Sequence, residues 1–400
     1  MQSILILGRQ PALGLAELES LYGSTVVTPV TRHAALLDLD PSQVDFARLG
    51  GSSKLAEVLD SVDTAKWDAL EKYLTRKLPD YLADFPEGKI TLGLSSYGLV
   101  ASPARIGATA LSVKKAVRKR ERSVRIVPNQ DVSLNSAQVI HNHLTSPNGC
   151  EIVLIENGGS TLIARTMAEQ NIASYTIRDR ERPKRDAKVG MLPPKLAQII
   201  INLTNPTPGS TILDPFCGTG VLLQEAMLMG FNVEGSDLER RMIEYTRTNL
   251  EWLRDTLGVH EPTALLNPGD ATTTVWAHDA SFVATETYLG RPFTEKPSTE
   301  MIARTSTEVN LILKKFLKNI HGQLIPGARL CLAIPAWALQ PKMVNGQWSM
   351  VNGFRHLPLI DQISDLGYNR VSFEHVRSEQ LLYYREDQFT ARELLVLTKQ

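Results

Sequence analysis

The chain has 400 residues, and its 43 Lys and Arg balance 43 Asp and Glu, giving a formal net charge of zero. That length is more than one ordinary core accommodates and predicts two or three domains, while the balanced charge excludes an overall positive field and leaves any nucleic-acid partner to local basic patches. No apolar run reaches the roughly 18 residues needed to cross a bilayer, and no charged-then-apolar leader opens the chain, so a cytoplasmic location is expected. Cys150, Cys217 and Cys331 lie far apart without a Cys-x-x-Cys, which points away from a disulfide framework or a zinc site.

From the N-terminus, Ser3–Leu7 reads as a buried strand and Ala12–Leu21 as a helix with apolar residues at helical spacing. Strands follow at Thr25–Val30 and Ala34–Leu39, then a helical stretch from Gln43 to Leu49 and a closing strand at Leu55–Leu59. Strand, helix, two strands, helix, strand describes a small ferredoxin-like domain over residues 1–64. It holds no acid–base pair, metal spacing or glycine loop, so its expected role is placement rather than chemistry. Asp68–Lys77 is an amphipathic helix, and Pro79–Gly88 reads as a linker.

A second α/β unit begins at Lys89–Tyr97. Its helix, Ala104–Arg122, carries Lys114, Lys115, Arg118, Lys119, Arg120 and Arg122, with Arg125 on the next strand. Residues three and four apart share a helix face, so several of these cations project together and can neutralise RNA phosphates. The bland alternative, a solvated helix face, is weakened because only Glu121 offsets the charge. A helix at Ser133–Leu144 and strands at Glu151–Glu156 and Thr161–Ala164 complete residues 65–170.

The runs Gly93-Leu-Ser-Ser-Tyr-Gly98, Leu134-Asn-Ser-Ala-Gln-Val-Ile-His-Asn142 and Glu151-Ile-Val-Leu-Ile155 resemble a THUMP domain, an RNA-binding module placed before the catalytic domains of tRNA-modifying enzymes. That resemblance implies recognition of the acceptor-stem end of tRNA. The junction, 171–189, is a basic linker in which Arg178, Arg180, Arg182, Lys184, Arg185 and Lys188 outweigh the acids. Guanidinium groups suit bidentate phosphate contacts, and Arg182, Lys184 and Arg185 join Lys114, Lys115, Arg118, Lys119 and Arg122 as candidate RNA-binding residues. Beyond Gly190, two prolines precede a helix at Lys195–Leu203.

Residues 190–400 are organised around Thr211-Ile-Leu-Asp-Pro-Phe-Cys-Gly-Thr-Gly220, an apolar strand that breaks into a glycine turn and opens a helix. Gly218 and Gly220 have no side chain to hold a ligand off the turn's N–H groups. A second strand, Phe231–Asp237, ends in a carboxylate roughly 20 residues past the turn, where ribose hydroxyls are held. A third, Ala264–Asn267, leads to Pro268-Gly-Asp270. One acid at a strand end is most simply a cap, but three at consecutive strand ends favour a cofactor site. The Gly-x-Gly-x-x-Gly fingerprint of dinucleotide-binding proteins is broken by Leu223, which argues against NAD.

Asp214-Pro-Phe-Cys-Gly-Thr-Gly220 resembles the first motif of S-adenosylmethionine-dependent methyltransferases acting on RNA amino groups. With the lead-in, the resemblance is to the THUMP-containing archaeal and eukaryotic tRNA guanosine N2-methyltransferases. It implies a Rossmann-like class I methyltransferase domain binding S-adenosyl-L-methionine and tRNA, with a small activating partner subunit as an allowed addition. Asp214 and the Gly218–Gly220 turn then face the methionine end, Asp237 the ribose and Asp270 the adenine amine. Pro215, Cys217, Leu238 and Ala271 fall in the same site.

The fourth strand, Ser281–Thr285, should end in the chemistry. The lone pair of a guanine amine is delocalised into the ring, so the family uses Asp-Pro-Pro-Tyr here: an acid and a carbonyl draw on the amine protons while an aromatic stacks the extruded base. This chain reads Thr285-Glu-Thr-Tyr-Leu-Gly290. Glu286 aligns with the acid and Tyr288 with the aromatic, beside Thr285, whereas a register shifted by one puts Leu289 in the stacking place. No cysteine lies near this loop, which argues against methylation of a ring carbon. The rest, a helix at Thr307–Ile320, a strand at Arg329–Ile334, a helical Asp361–Leu366 and a hairpin of Ser378–Arg385 with Arg392–Leu397, completes a doubly wound sheet. A tRNA-binding protein without turnover and an adenine N6 methyltransferase are the alternatives.

Overall fold

A computed structural model describes residues 1–186, 191–293, 295–338, 353–385 and 388–400, with the backbone alone of 342–344 and 347–349. Lys188, one of the expected junction cations, lies outside the described residues. Two compact units are present, one formed by Met1–Leu15, Tyr22–Ala47 and Gly51–Ala173, the other by Ala16–Leu21, Arg48–Gly50 and Ser174–Gln400.

The first unit runs β1 (Ser3–Leu7), α1 (Pro11–Tyr22), β2 (Val27–Thr31), β3 (Ala34–Leu37), β4 (Ser52–Val62), α2 (Trp67–Ala83), β5 (Ile90–Tyr97), α3 (Pro103–Arg118), β6 (Val124–Ile126), α4 (Ser136–His141), β7 (Gly149–Asn157) and β8 (Ser160–Glu169). All eight strands form one sheet in the order β2-β3-β1-β4-β8-β7-β5-β6. β4 pairs antiparallel with β1 on one side and with β8 on the other, so the strands on both sides of residue 64 share a single hydrogen-bonded ladder.

Local departures from the expected elements have physical causes. The helix expected over Gln43–Leu49 is two short 3-10 turns, Pro41–Gln43 and Phe46–Arg48, and Asp40 caps the first through its side chain. The linker expected from Pro79 is helix up to Ala83, because Leu74, Leu78 and Leu82 keep the helical period and are buried in the core. The basic helix stops at Arg118, and Glu121 adopts a left-handed φ of 61°, which turns the chain into β6.

A polar cluster lies inside this unit. Lys54 of β4 donates from Nζ to Glu151 Oε1 of β7 at 2.6 Å and to the Leu134 carbonyl at 2.8 Å. Ser95 Oγ donates to the same carboxylate oxygen at 2.5 Å, and Thr166 Oγ1 to the other at 2.6 Å. Burial by itself would lower the Lys54 pKa, but Glu151 and the further charges facing it hold it above its usual value. The pair joins β4 to the strands beyond it.

α5 (Ile172–Arg180), most of which belongs to the second unit, occupies much of the expected linker and is followed by α6 (Pro194–Leu203). Then come β9 (Thr211–Asp214), α7 (Val221–Leu228), β10 (Asn232–Asp237), α8 (Arg240–Leu257), β11 (Ala264–Pro268), β12 (Ala280–Glu286), α9 (Thr299–His321) and β13 (Leu324–Ala338). The pair β14 (Lys342–Val344) and β15 (Gln347–Ser349) stands apart from the main sheet, which β16 (Phe354–Arg355), β17 (Tyr368–Arg370), β18 (Leu382–Tyr383) and β19 (Thr390–Lys399) complete. The expected helix at Asp361–Leu366 is again 3-10, within Pro358–Gln362 and Ser364–Leu366.

The sheet order is β11-β10-β9-β12-β13-β19-β17. β9 pairs parallel with β10 and β12, while β19 runs antiparallel between β13 and β17. This is a doubly wound Rossmann-like α/β sheet with an antiparallel addition at one edge. Its order reverses direction at β9, between β10 and β12, which is where an open α/β sheet offers a crevice at the strands' carboxyl ends. Along α9, Ile302, Val309, Leu313, Phe316, Leu317 and Ile320 recur at helical spacing and are buried in the core. Each such side chain contributes about 1.5–3 kcal/mol by leaving water.

Candidate functional site

The crevice is built from the turn that follows β9. Asp214 ends that strand only 2% exposed, and its Oδ1 accepts from Thr285 Oγ1 at 2.5 Å and from the Phe216 N–H at 3.2 Å. Thr285 itself is fully buried on β12, so this bond joins the first motif to the strand expected to carry the chemistry. Burial pushes the Asp214 carboxyl up to about 7, against the lowering effect of those two hydrogen bonds, and the charges of Asp237 and Glu286 add to the rise. Phe216 anchors the turn through an edge-to-face contact with Phe316 of α9 at 5.1 Å between centroids.

Gly218 and Gly220 both adopt left-handed φ angles, 51° and 80°. A Cβ on Gly220 would lie 2.7 Å from Thr246 Cγ2, whereas one on Gly218 would meet nothing within 4 Å. One glycine is required by the protein's own packing. The other leaves open space beside the turn. The carbonyls of the turn are held from α8: Thr246 Oγ1 donates to Gly218 O at 2.8 Å and Asn249 Nδ2 to Thr219 O at 2.8 Å. Asn249 also binds residue 184, accepting from the Lys184 N–H and donating to its carbonyl, each at 2.9 Å. These two residues escaped the sequence reading; their spacing of three on one helix face was the available signal.

Leu223, which breaks the dinucleotide fingerprint, has a structural counterpart. A Cβ on Gly235 of β10 would fall 2.5 Å from Leu223 Cδ1. The small residue that close helix–strand packing needs has moved from the helix to the strand.

Asp237 closes β10, with Oδ2 accepting from the Gly218 N–H at 2.9 Å and Oδ1 from the Glu239 N–H at 2.9 Å. Its pKa is raised by burial, partly offset by those bonds. A carboxylate oxygen can take more than one donor, so Asp237 retains capacity to accept from hydroxyl groups. Leu238 beside it is 74% exposed, an apolar surface next to the acid. Asp270, following β11, is exposed and caps its own turn through Thr272 N at 2.8 Å, with Ala271 buried behind it. Cys217 is buried, and burial pushes its thiol well above the usual value, as it also does for Cys150 and Cys331.

At the end of β12, Glu286 is paired with Arg392 of β19 through Arg392 Nε. Thr287 stays on the neighbouring strand, its N–H donating to Ala333 O at 3.1 Å. Tyr288 packs against the core cluster, and its hydroxyl lies 3.5 Å from Glu308 Oε1, so its ring does not stand free. Arg392 was missed because residue 392 is far from the motif in sequence and reaches it only through the antiparallel edge.

The basic candidates divide by environment. Lys115, Arg118 and Lys119 are exposed and Lys114 is half-buried. Arg122 donates to the carbonyls of Phe85 at 3.0 Å and Pro86 at 2.8 Å, so its guanidinium holds the chain after α2. In the second unit Arg185 is exposed, while Lys184 lies 5.4 Å from the Tyr245 ring centroid. Arg182 is only 3% exposed, so it presents no surface to a polymer phosphate, and Arg178 is buried against Glu225.

Residues 182–260 match the UPF0020 family, an RMKL-like methyltransferase domain. A tRNA (guanine(10)-N2)-dimethyltransferase of Methanothermobacter thermautotrophicus is 30% identical over 161 residues, covering 40% of this chain and 44% of that protein. Its namesake from Pyrococcus abyssi is 34% identical over 149 residues, covering 36% of this chain and 39% of that protein. The chain thus spans less than half the length of these curated relatives. The crystal structure of TrmN from Thermus thermophilus covers the whole of both chains with a TM-score of 0.52 at 14% identity, a likeness of fold. Around the turn, the open space at Gly218, the Asp237 carboxylate with accepting capacity left and exposed Leu238 lie close together in the chain's fold and leave room for a ligand.

Proposed function

We propose that the protein transfers methyl groups from S-adenosyl-L-methionine to the exocyclic N2 amine of a guanosine in tRNA. The observation that carries this reading is the bond from the Gly218 N–H to Asp237 Oδ2, which sets a ribose-accepting carboxylate against a left-handed glycine turn at the sheet's reversal point. S-adenosylmethionine, when bound, supplies an electrophilic methyl on a sulfonium. The chain's own residues hold and orient: Asp214 and the turn face the methionine end, Asp237 the ribose hydroxyls, Leu238 the base and Asp270 its amine. Glu286 accepts from the guanine amine, and the orientation of that nitrogen toward the methyl supplies much of the acceleration.

Exposed Lys115, Arg118 and Lys119 suit RNA phosphates, and the names of the curated relatives support tRNA as the RNA. No helix among the described residues is long and apolar enough to cross a membrane. A small activating subunit is compatible with this reading.

One observation favours a second reading. The Glu286 carboxylate is engaged by Arg392 and Tyr288 is packed on the core, as in a protein that binds cofactor and tRNA without turning over. Calorimetry with S-adenosylmethionine, followed by transfer of labelled methyl to tRNA and mass spectrometry of the nucleosides, separates the two. Labelled N2-methylguanosine supports transfer; tight binding of both ligands with no label supports the second reading; no cofactor binding rejects both. Label on adenine N6 would move the activity to another amine.

A further inference from the structure

Arg182 is a buried cation without an acceptor. It is 3% exposed, and its Nε, Nη1 and Nη2 find no hydrogen-bond partner among the described residues. Glu225 of α7, one of the two acids acting on Arg182 and itself 1% exposed, already accepts from Arg178 Nε at 2.6 Å and from Arg178 Nη2 at 3.2 Å. Asp179 and Arg185 are the other charges acting on Arg182. A guanidinium withdrawn from water with its donors idle is costly, and a planar oxyanion is the group its fork matches.

The position of Arg182 says which oxyanion. Two residues on, Lys184 is bound through both its backbone N–H and its carbonyl to Asn249, and the same Asn249 holds the Thr219 carbonyl of the glycine turn. Glu225, one of the acids acting on Arg182, is the fifth residue of α7, the helix that Gly220 opens. The arginine therefore belongs to a stretch tied both to the glycine turn and to α7, the elements to which the cofactor's amino-acid end is assigned above. Its nitrogens are withdrawn from bulk solvent, which suits a small carboxylate better than a phosphate carried on a polymer backbone.

We propose that Arg182 is the counter-ion for the carboxylate of the cofactor's methionyl end. This rests on the cofactor reading above and deepens it: the chain's affinity for S-adenosyl ligands depends on their carboxylate, through this one side chain.

The test compares two ligands on the full chain by calorimetry, S-adenosylhomocysteine, which carries the carboxylate, and 5′-methylthioadenosine, which lacks the amino-acid end. Arg182→Gln should weaken S-adenosylhomocysteine by about 10- to 100-fold, the worth of a charge-assisted hydrogen-bonded pair, and leave 5′-methylthioadenosine unchanged. Arg182→Lys, which keeps the charge without the fork, should fall between. Because the carboxylate-free ligand reports on the fold of the pocket, a misfolded variant is recognised by loss of both. Equal weakening of both ligands by the folded Arg182→Lys, or no weakening of either by Arg182→Gln, would overturn the proposal. So would loss confined to tRNA affinity, which would assign Arg182 to a phosphate. If the unsubstituted protein bound neither ligand, the cofactor reading would fail first.

Discussion

Arg392 of the last strand donates to the carboxylate of Glu286, the residue that ends β12. The side chains are 6% and 16% exposed, so the pair is largely out of water. Arg392→Met leaves a shielded carboxylate without its cation and is expected to cost about 2–4 kcal/mol in urea unfolding. Pairing it with Glu286→Gln should recover part of that loss, which a double-mutant cycle reads directly. Glu286→Gln alone should lower methyl transfer by about 10²- to 10⁴-fold while cofactor affinity, measured by calorimetry, stays near that of the parent.

Asp214 makes stability depend on pH in an assignable direction. Its folded pKa, pushed up to about 7, exceeds the ordinary 3.8, so its contribution is fully present below pH 4 and is lost as the pH rises toward and through 7. Asp214→Asn keeps an oxygen to accept from Thr285 and Phe216 but cannot ionise. The variant should therefore gain stability relative to the parent on going from pH 5 to pH 8, by up to about 2.5 kcal/mol. Urea unfolding of both proteins at the two pH values checks this; a parallel loss in both would show that Asp214 is not the group responsible.

The two turn glycines should separate folding from binding. Gly220→Ala places a methyl 2.7 Å from Thr246 Cγ2 on a left-handed backbone, so thermal unfolding should report a loss of about 2 kcal/mol or more. Gly218→Ala meets no neighbouring atom and should cost only about 1 kcal/mol for its φ angle. Its methyl enters the space left for the ligand, so S-adenosylhomocysteine affinity should fall at least about tenfold.

The cations after β5 divide in the same way. Replacing exposed Lys115, Arg118 and Lys119 with Gln should weaken tRNA binding at low salt and flatten its salt dependence by about two to three units of slope, with unfolding unchanged. Arg122→Gln removes donors to two backbone carbonyls and should lower stability by about 1–2 kcal/mol instead. Filter binding across a salt series and thermal melts distinguish them.

Much of the fold was legible because its signals are local. The strand, glycine turn and helix around Asp214, and the apolar period of α9, announce themselves within a few residues of each other. The interior strand β12 was placed to within one residue at each end for the same reason, while only the centre of the longer β13 was. What escaped notice depends on partners distant in sequence. Arg392 reaches Glu286 only when β19 inserts beside β13, Asn249 reaches Thr219 from the middle of α8, and Arg182 reads as one more surface cation until burial is known. Helix ends were misjudged where a breaker competed with packing, as at Pro79, where Leu78 and Leu82 prevail.

The central place of β4 limits how the protein can be divided. A shortened version starting at residue 65 would strip β8 of its partner from Lys54 to Val62 and leave Glu151 without the ammonium it is bonded to. Such a fragment would display a long naked edge over an orphaned interior carboxylate. Self-association through that edge is the outcome to expect, so studies of RNA capture by this region need the polypeptide from its first strand onward.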